Sequence, residues 1–299
     1  MTGNARPLTV QHGRQRLQLI PELGGSLAGW ELQHGDTWLP LLRPWNGMAA
    51  DAYTYACFPL TPWSNRISAG GIEHDGVTYP IALNRSGEAY PIHGDGWLQP
   101  WGIAASDPTS ITLALTSNRF AGNPYHYRAS QRFILDDDGL TIILQVTHLG
   151  EHALPYGLGL HPYFPRDSTT RLQMHCTGLW LSGADLMPES HASILPPTFD
   201  YRQPALLNGP MIDHCFTGWD GHASIHYPNH GLTLELTMPQ CDGYALMYRP
   251  PGLDFFCLEP ITHPIDAFHL AGRPGLRILA NGESMELRLQ MRFRTGQAA

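Results

Sequence analysis

The chain has 299 residues, a formal net charge of −8 and a charged fraction of 15%, against about 25% for an average soluble domain. All 18 basic residues are arginine, so the chain lacks the lysine that Schiff-base enzymes, pyridoxal enzymes and phosphate-binding P-loops require. A mildly acidic chain without a basic cluster also argues against nucleic-acid binding, because phosphate neutralisation needs clustered cations.

Alternation of apolar and polar residues predicts β-strands along the whole chain. The segment Asp136–Gly139 between two such runs predicts a hairpin turn, since Asp and Gly tolerate turn conformations. The loosest stretch, Pro188–Pro210, is predicted to be a long loop. In chain order, the predicted strands are Arg16–Ile20, Ser26–Leu32, Ile111–Thr116, Phe133–Leu135, Leu140–Leu144, Arg171–Cys176, Leu232–Leu236, Tyr244–Tyr248, Phe255–Leu258 and Met285–Phe293.

Composition and the strand pattern together predict an all-β protein. Gly and Pro number 31 and 26, and no segment carries a helical stripe over three turns. Strands at short spacing with Gly/Pro turns indicate a sandwich or barrel, and no linker divides the chain. We predict a single domain over residues 1–299.

Hydropathy and cysteine spacing predict a cytoplasmic protein. No apolar run approaches the ~20 residues that span a bilayer, and Met1–Pro7 lacks the apolar stretch of a secretion signal. The cysteines are odd in number and without a Cys-x-x-Cys pair, so we expect reduced, mostly buried thiols. They are Cys57, Cys176, Cys215, Cys241 and Cys257.

The 16 histidines first suggest a metal site, but their spacing does not support one. His148 and His152 are four residues apart, yet His148 ends a strand pattern and Gly150 disfavours a helix, so the two would not share a helical face. Neither His-x-His nor His-Glu-x-x-His occurs. We expect no bound metal and no cofactor.

Four segments depart from ordinary strand-and-turn sequence. Arg66 lies among aromatic and apolar neighbours, where a surface arginine at a strand end is the alternative. His93 lies in a Gly-flanked loop, where a structural histidine is equally consistent. His161 and Glu259 each interrupt an apolar run, and a buried ionisable group needs a partner or shifts its pKa.

One arginine, two histidines and a carboxylate, with Trp and Tyr nearby, fit a carbohydrate site. Aromatic faces cover the C–H patches of a sugar ring, and charged side chains hydrogen-bond its hydroxyls. A His and a Glu of suitable pKa can act as general acid and general base across the ring.

The chain resembles the aldose 1-epimerase (galactose mutarotase) family. Five motifs occur in the family's order over about residues 55 to 270. They are Asn65-Arg66-Ile67, His93-Gly94, His161-Pro162-Tyr163-Phe164, Asp213-His214-Cys215-Phe216, and Phe256-Cys257-Leu258-Glu259 followed by Ile265-Asp266-Ala267.

The resemblance implies a large antiparallel β-sandwich of the galactose mutarotase type that interconverts the anomers of an aldose. It implies that Glu259 takes the proton from the anomeric hydroxyl while His161 protonates the ring oxygen. The substrate-binding residues that it implies are Asn65, Arg66, His93, Tyr163 and Asp213. The implied partner is a free monosaccharide, bound by a monomer or a homodimer, with neither nucleic acid nor membrane involved.

Two departures from the family pattern bear on the substrate. Galactose mutarotases carry Gln-x-Tyr-Thr before the catalytic Glu, whereas this chain has Leu246-Met247-Tyr248-Arg249, so a polar sugar contact is missing or moved. Pro59–Trp63 also differs from the phosphate-binding pattern of the hexose-6-phosphate branch. We therefore expect an unphosphorylated sugar, with Arg249 meeting an anionic substrate group as the alternative.

Two rival functions remain open from the sequence. A glycoside hydrolase or lyase on a related sandwich is one, with Glu259 and Asp213 as the two carboxylates that hydrolysis ordinarily needs. A non-catalytic carbohydrate-binding protein is the other, although binding alone needs no acid/base pair. For the epimerase, we expect a neighbouring carboxylate to raise the pKa of His161 above its usual ~6.5 and Arg66 to keep Glu259 ionised.

Overall fold

The computed structural model describes residues 6–48 and 51–296, and within these ranges the secondary structure is almost entirely β. The strands are β1 (Leu8–His12), β2 (Gln15–Ile20), β3 (Ser26–His34), β4 (Thr37–Leu42), β5 (Pro59–Leu60), β6 (Gly71–His74), β7 (Val77–Pro80), β8 (Gly102–Ser106), β9 (Ser110–Asn118), β10 (His126–Asp136), β11 (Gly139–His148), β12 (Leu154–Tyr156), β13 (Gly159–Leu160), β14 (Tyr163–Pro165), β15 (Arg171–Met174), β16 (Gly178–Ser182), β17 (Pro188–Ala192), β18 (Ala205–Leu206), β19 (Ile212–Thr217), β20 (His222–Tyr227), β21 (Leu232–Thr237), β22 (Tyr244–Arg249), β23 (Phe255–Ile261), β24 (Arg277–Leu279) and β25 (Ser284–Thr295).

Helical structure in the described ranges consists of short 3-10 turns, with no α-helix. These turns are Ala52–Thr54, Gly96–Leu98, Phe120–Gly122, Pro197–Phe199 and Pro228–His230. No helix in this part of the chain is long and apolar enough to cross a membrane.

Two large antiparallel sheets contain most of the described strands. One has nine strands in the order β18-β15-β20-β21-β25-β11-β10-β9-β8. The other has eight strands in the order β17-β16-β19-β22-β23-β13-β5, with β14 also pairing with β23. Strands β1 to β4 form a smaller sheet, and β6-β7 and β12-β24 form two-stranded ribbons. The predicted all-β class is therefore confirmed.

The two large sheets share one hydrophobic core, as in a β-sandwich. Strand β25 shows why: Leu287 and Leu289 are buried on one face, whereas Glu286 and Arg288 between them are exposed. Met247 of the eight-stranded sheet joins the same buried cluster. The alternation predicted for Met285–Phe293 thus places one face of this strand in the core, because successive side chains point to opposite faces.

Strands β22 and β23 at the centre of the eight-stranded sheet are largely buried on both faces, and this positions the site. Along β22 and β23, Met247 and Leu258 face the sandwich core, whereas Leu246 and Cys257 belong to a second cluster on the opposite face. Glu259 is two residues beyond Cys257, so it lies on that opposite face as well. We call this side of the sheet the pocket face.

The predicted hairpin and strands are largely confirmed, and one loop prediction is wrong in part. Asp136 pairs with Gly139 across the turn between β10 and β11, as expected. The stretch Pro188–Pro210 is not a continuous loop, because it contains β17, a 3-10 turn and β18. Strand β17 lies at the edge of its sheet, and its three central residues are exposed. It therefore lacks the buried alternation that marks a strand in the sequence.

The glycine of the His93-Gly94 segment is required by the close packing of two backbones. Gly94 has φ +68°, and a Cβ there would clash with the Thr61 carbonyl oxygen. The same oxygen accepts hydrogen bonds from the N–H groups of Asp95 and Gly96, both at 3.0 Å. This contact fixes the loop that carries His93 against β5.

Replacing Gly94 should therefore lower the free energy of unfolding by more than the strain of its backbone conformation alone. Gly76 is a matched control, since it has φ +74° but open space around its Cβ position. We expect Gly76→Ala to lose ~1–2 kcal/mol of unfolding free energy through left-handed strain and Gly94→Ala to lose ~1–3 kcal/mol more through the clash. Equal losses in urea denaturation would contradict this account of the loop.

Candidate active site

A cavity of about 260 Å³ opens on the pocket face of the eight-stranded sheet. This volume lies just below the ~300–1,000 Å³ typical of ligand sites, which suits one small molecule. All seven residues singled out in the sequence line it: Asn65, Arg66, His93, His161, Tyr163, Asp213 and Glu259. Their roles stay predictions, but the fold brings all of them together. We call this cavity the pocket.

Strand pairing brings residues from distant parts of the sequence to the floor of the pocket. Leu246 of β22 is opposite Glu259 of β23, and Asp213 of β19 is opposite Tyr248 of β22. Tyr163 of β14 is opposite Cys257. Because register fixes which side chains share a face, the two carboxylates and the tyrosine reach the pocket together.

His161 and Glu259 form the central contact of the site. The Nε2 atom of His161 lies 3.3 Å from Oε1 of Glu259, and the residues are 5% and 1% exposed. The His161 ring stacks on Phe58 at 4.5 Å and on Tyr163 at 4.7 Å between centroids. Among the described residues, His161 Nδ1 and Glu259 Oε2 have no hydrogen-bond partner. Two buried polar atoms of this pair thus lack the hydrogen-bond partner that buried polar groups usually have.

Burial shifts the pKa values of this pair in directions opposite to those predicted. Desolvation raises the pKa of Glu259 well above its usual value, with Asp213 adding to the increase and Arg66 opposing it. Desolvation lowers the pKa of His161 to about 3. The expectations of a raised His161 pKa and an ionised Glu259 are therefore wrong for the protein alone, because burial outweighs the neighbouring charges.

His93 is fixed in a defined tautomer at the pocket wall. The backbone N–H of Asn65 donates to His93 Nδ1 at 3.0 Å, so the neutral ring carries its proton on Nε2. Burial, the main cause, and the nearby His161 and Arg66 charges lower the His93 pKa well below its usual value. His93 is therefore a neutral N–H donor, which suits hydrogen bonding to a hydroxyl oxygen.

Arg66 is held by two acceptors within the pocket. Its Nε donates to Glu88 Oε2 at 3.0 Å, and its Nη1 donates to Asn65 Oδ1 at 3.4 Å. Asn65 itself has φ +53°, a left-handed conformation that Asn adopts more readily than most residues. This local bend turns the Asn65 amide towards Arg66, whose backbone N–H it also accepts at 2.9 Å.

Buried polar residues outside the pocket anchor the loop of Arg66. Asp266 accepts from the backbone N–H and the hydroxyl of Ser68 at 2.9 and 2.7 Å. Nε2 of His263 accepts the Ser64 N–H at 3.0 Å. The Ile265-Asp266-Ala267 motif thus serves to hold a loop, and its aspartate does not line the pocket.

A further buried carboxylate anchors the loop of His93. Asp95 accepts from Tyr127, Asn123 and Gln99, and burial still raises its pKa to about 6. Since Asp95 is two residues from His93, this network fixes the loop from the core side.

Asp213 adds a carboxylate opposite Tyr248 at the pocket floor. Desolvation raises its pKa to about 6, while Arg66 opposes and Glu88 assists the increase. It is therefore ionised at neutral pH and able to accept hydrogen bonds from hydroxyl groups, which are stronger when the acceptor is charged.

Several pocket residues escaped the sequence analysis. Tyr248 and Leu246 could have been found, since their register opposite Asp213 and Glu259 places them on the pocket face. Tyr53 lies in the 3-10 turn Ala52–Thr54 and Glu88 in an irregular loop, and neither segment carries a periodic signal. The remaining lining residues are Ile92, Leu186, Met211 and Phe255.

The alternative in which Arg249 meets an anionic substrate group is wrong. Arg249 is buried outside the pocket, where it donates to the Tyr201 hydroxyl at 3.0 Å and to the Pro210 carbonyl at 2.8 Å. Strand alternation explains this, because Tyr248 takes the pocket-facing position and Arg249 points to the other side.

No group of three or more His, Cys, Asp or Glu side chains within residues 6–48 and 51–296 is arranged to hold a metal ion. All five cysteines are free thiols, and four of them are buried. The arrangement instead offers proton donors and acceptors around a small cavity.

Comparison with known proteins places the chain in a family. Residues 6–292 match the aldose 1-epimerase family. The uncharacterized protein YphB of Escherichia coli K12 is 36% identical over 294 residues, which is 95% of this chain and 97% of YphB. A crystal structure of an Escherichia coli K12 protein provisionally assigned to the aldose 1-epimerases is 33% identical, with a TM-score of 0.90, covering 97% of this chain and 99% of that one.

A more distant structure, a galactose mutarotase-like protein of Clostridium acetobutylicum, shares the fold with a TM-score of 0.85 at 16% identity. The match covers 97% of this chain and 95% of the other. The antiparallel sandwich is thus of the galactose mutarotase type. The chain belongs to the aldose 1-epimerase family.

Proposed function

We propose that the protein is an aldose 1-epimerase that interconverts the α and β anomers of an unphosphorylated aldose. The observation that carries this proposal is the buried contact of 3.3 Å between His161 and Glu259, each of which has one polar atom without a hydrogen-bond partner among the described residues. Ring opening of a cyclic sugar requires one proton to leave the anomeric hydroxyl and one to reach the ring oxygen. Two adjacent groups that share a proton can meet both needs.

The proton count of the pair is compatible with this chemistry. A protonated Glu259 beside a neutral His161 holds the same number of protons as a Glu259 carboxylate beside an imidazolium. Burial favours the first form, and transfer of one proton between the two groups gives the second. In that second form Glu259 accepts the anomeric proton while His161 donates to the ring oxygen, and reclosure reverses both transfers.

The other polar residues would hold the sugar during rotation about the bond beside the free aldehyde. His93 offers an N–H donor, Asp213 offers acceptors, and Arg66 offers guanidinium N–H groups. Tyr163 lies between His161, which stacks on one face, and the Arg43 guanidinium over its ring, so it would border the sugar with its edge. The small cavity favours a monosaccharide over an oligosaccharide.

Polarimetry on freshly dissolved α-glucose and α-galactose, beside a reducing-end assay on oligosaccharides, tests the proposal. Faster mutarotation without release of new reducing ends supports an epimerase. Release of reducing ends identifies a hydrolase that uses Glu259 with Asp213, and saturable binding without either reaction identifies a binding protein.

Replacing Glu259 should separate catalysis from stability. We expect Glu259→Gln to slow catalysed mutarotation by about 10²–10⁴-fold, the usual contribution of a general acid or base. Because burial already raises the pKa of this carboxyl, a neutral amide of similar volume should leave the melting temperature unchanged or slightly higher. Activity within about threefold of the wild type would contradict the assignment on the same scale.

The pH profile of kcat/KM should have an acidic limb that belongs to Asp213. With a pKa of about 6, this carboxylate is ionised above that pH and protonated below it, where it becomes a weaker acceptor. Asp213→Asn should flatten this limb. Loss of the proton shared by Glu259 and His161 should set the alkaline limb. An acidic limb that is unchanged in Asp213→Asn would contradict this reading.

Chelation should leave the reaction unaffected. If His93 and His161 act as donors to sugar rather than as ligands, incubation with EDTA should not change the rate, and elemental analysis should find no stoichiometric metal. Loss of activity on chelation that one added cation restores would move these histidines into a ligand role.

A further inference from the structure

An ion pair between Arg66 and Glu88 lies in the pocket but has no part in the proposed proton transfers. The Arg66 Nε and Glu88 Oε2 atoms are 3.0 Å apart, and the two side chains are 7% and 17% exposed. Within the described residues, Arg66 is the hydrogen-bond partner of the Glu88 side chain, and the second carboxylate oxygen makes no such bond. Glu88 thus lines the pocket with one oxygen bonded to Arg66 and one without a hydrogen bond among the described residues.

The other arginines close to the pocket are engaged by aromatic rings and main-chain or carboxylate oxygens. The Arg85 guanidinium lies 3.5 Å from the Tyr53 ring centroid and pairs with Asp51 at 3.1 Å. The Arg43 guanidinium lies 3.8 Å from the Tyr163 ring centroid and donates to backbone carbonyls. Among the described lining residues, Arg66 is therefore the sole arginine, beside the carboxyl groups of Glu88, Asp213 and Glu259.

A buried guanidinium without a carboxylate partner would be a strong site for an anion, because its N–H groups match carboxylate and phosphate oxygens. Glu88 satisfies the Nε position and cancels the charge, while Nη2 makes no hydrogen bond in the described residues. What remains is a neutral donor–acceptor pair, suited to sugar hydroxyls. A carboxylate or phosphate on the substrate would meet Glu88 and Asp213, and like charges brought together are unfavourable.

We infer that Glu88 is a specificity-determining residue, which orients Arg66 and makes the pocket select uncharged aldoses over anionic sugars. This inference rests on the proposed function for the ligand being a sugar. It assigns to Glu88 two separable effects: holding Arg66 through Nε, and excluding negative charge.

The inference is tested by measuring binding affinities calorimetrically. The ligands are two neutral hexoses, D-glucose and D-galactose, and the matching hexuronates. The wild type should prefer the neutral sugar by on the order of tenfold or more. In Glu88→Gln the amide oxygen can still accept from Arg66, but one negative charge is lost. The ratio of hexuronate to hexose affinity should therefore rise by about tenfold.

Two further variants separate charge from position. Glu88→Asp keeps the charge but is too short to hold Nε, so hexose affinity should fall while the preference for neutral sugar remains. Asp136→Asn is the matched control, because it removes the same charge from an Arg–carboxylate pair (with Arg292, 2.8 Å) on the nine-stranded sheet. It should leave all affinities unchanged.

The outcomes distinguish this inference from the proposed function. Equal affinity of the wild type for hexose and hexuronate, no hexose binding, or equal changes for both ligands in Glu88→Gln overturns the role of Glu88. If Glu88→Asp changes the ratio of hexuronate to hexose affinity, the role of Glu88 is overturned as well. This result can be obtained even if Glu88→Gln does not fold. Mutarotation is measured on the same samples: its absence overturns the proposed function, while the affinity ratios still decide the inference.

Discussion

The contact between His161 and Glu259 is the constraint on which the rest of the site depends. Both side chains are buried, and taking ionisable groups out of water is costly unless they are neutral or well paired. The protein places the two groups 3.3 Å apart, and burial favours a neutral form of each, which limits this cost. The pair keeps this geometry only if the histidine ring is held from the side, which the stacked rings of Phe58 and Tyr163 achieve.

The loops that complete the pocket are fixed from behind by buried hydrogen bonds. Asp95 holds the loop of His93, while Asp266 and His263 hold the loop of Arg66. Each anchor is itself a titratable group that the reaction does not need. Such buried groups stabilise a structure when their hydrogen bonds are satisfied and destabilise it when one partner is lost. They fix the positions of the loops relative to the sheet, an arrangement that favours pre-positioned donors and acceptors.

The positive charges around the pocket are also paired with neighbouring groups. Three arginines lie near the pocket: Arg66, Arg85 and Arg43. Each guanidinium contacts a carboxylate, a carbonyl oxygen or an aromatic face. Such an arrangement favours directed hydrogen bonds to a ligand over attraction by net charge. This agrees with the absence of lysine from the chain, since lysine would add flexible point charges instead of planar donors of fixed direction.

The sequence by itself determined ten of the described strands and, where apolar and polar residues alternate as in Met285–Phe293, which residues face the core. In the apolar run of β23 no such alternation exists, and strand geometry separates Phe256 and Leu258 from Cys257 and Glu259. The five motifs of the family resemblance named seven residues, all of which line one cavity. The prediction of a single domain over residues 1–299 stays a prediction.

Only the tertiary structure decided which side chains the pocket residues contact and how deeply those residues are buried. Glu88 meets Arg66 because two irregular loops converge, and no local pattern encodes a contact across 22 positions. The pKa directions of His161 and Glu259 could not be read from neighbouring charges. They depend on how much water the surrounding rings and strands exclude, and that exclusion exists only once the sheet, the loops and their anchors have packed together.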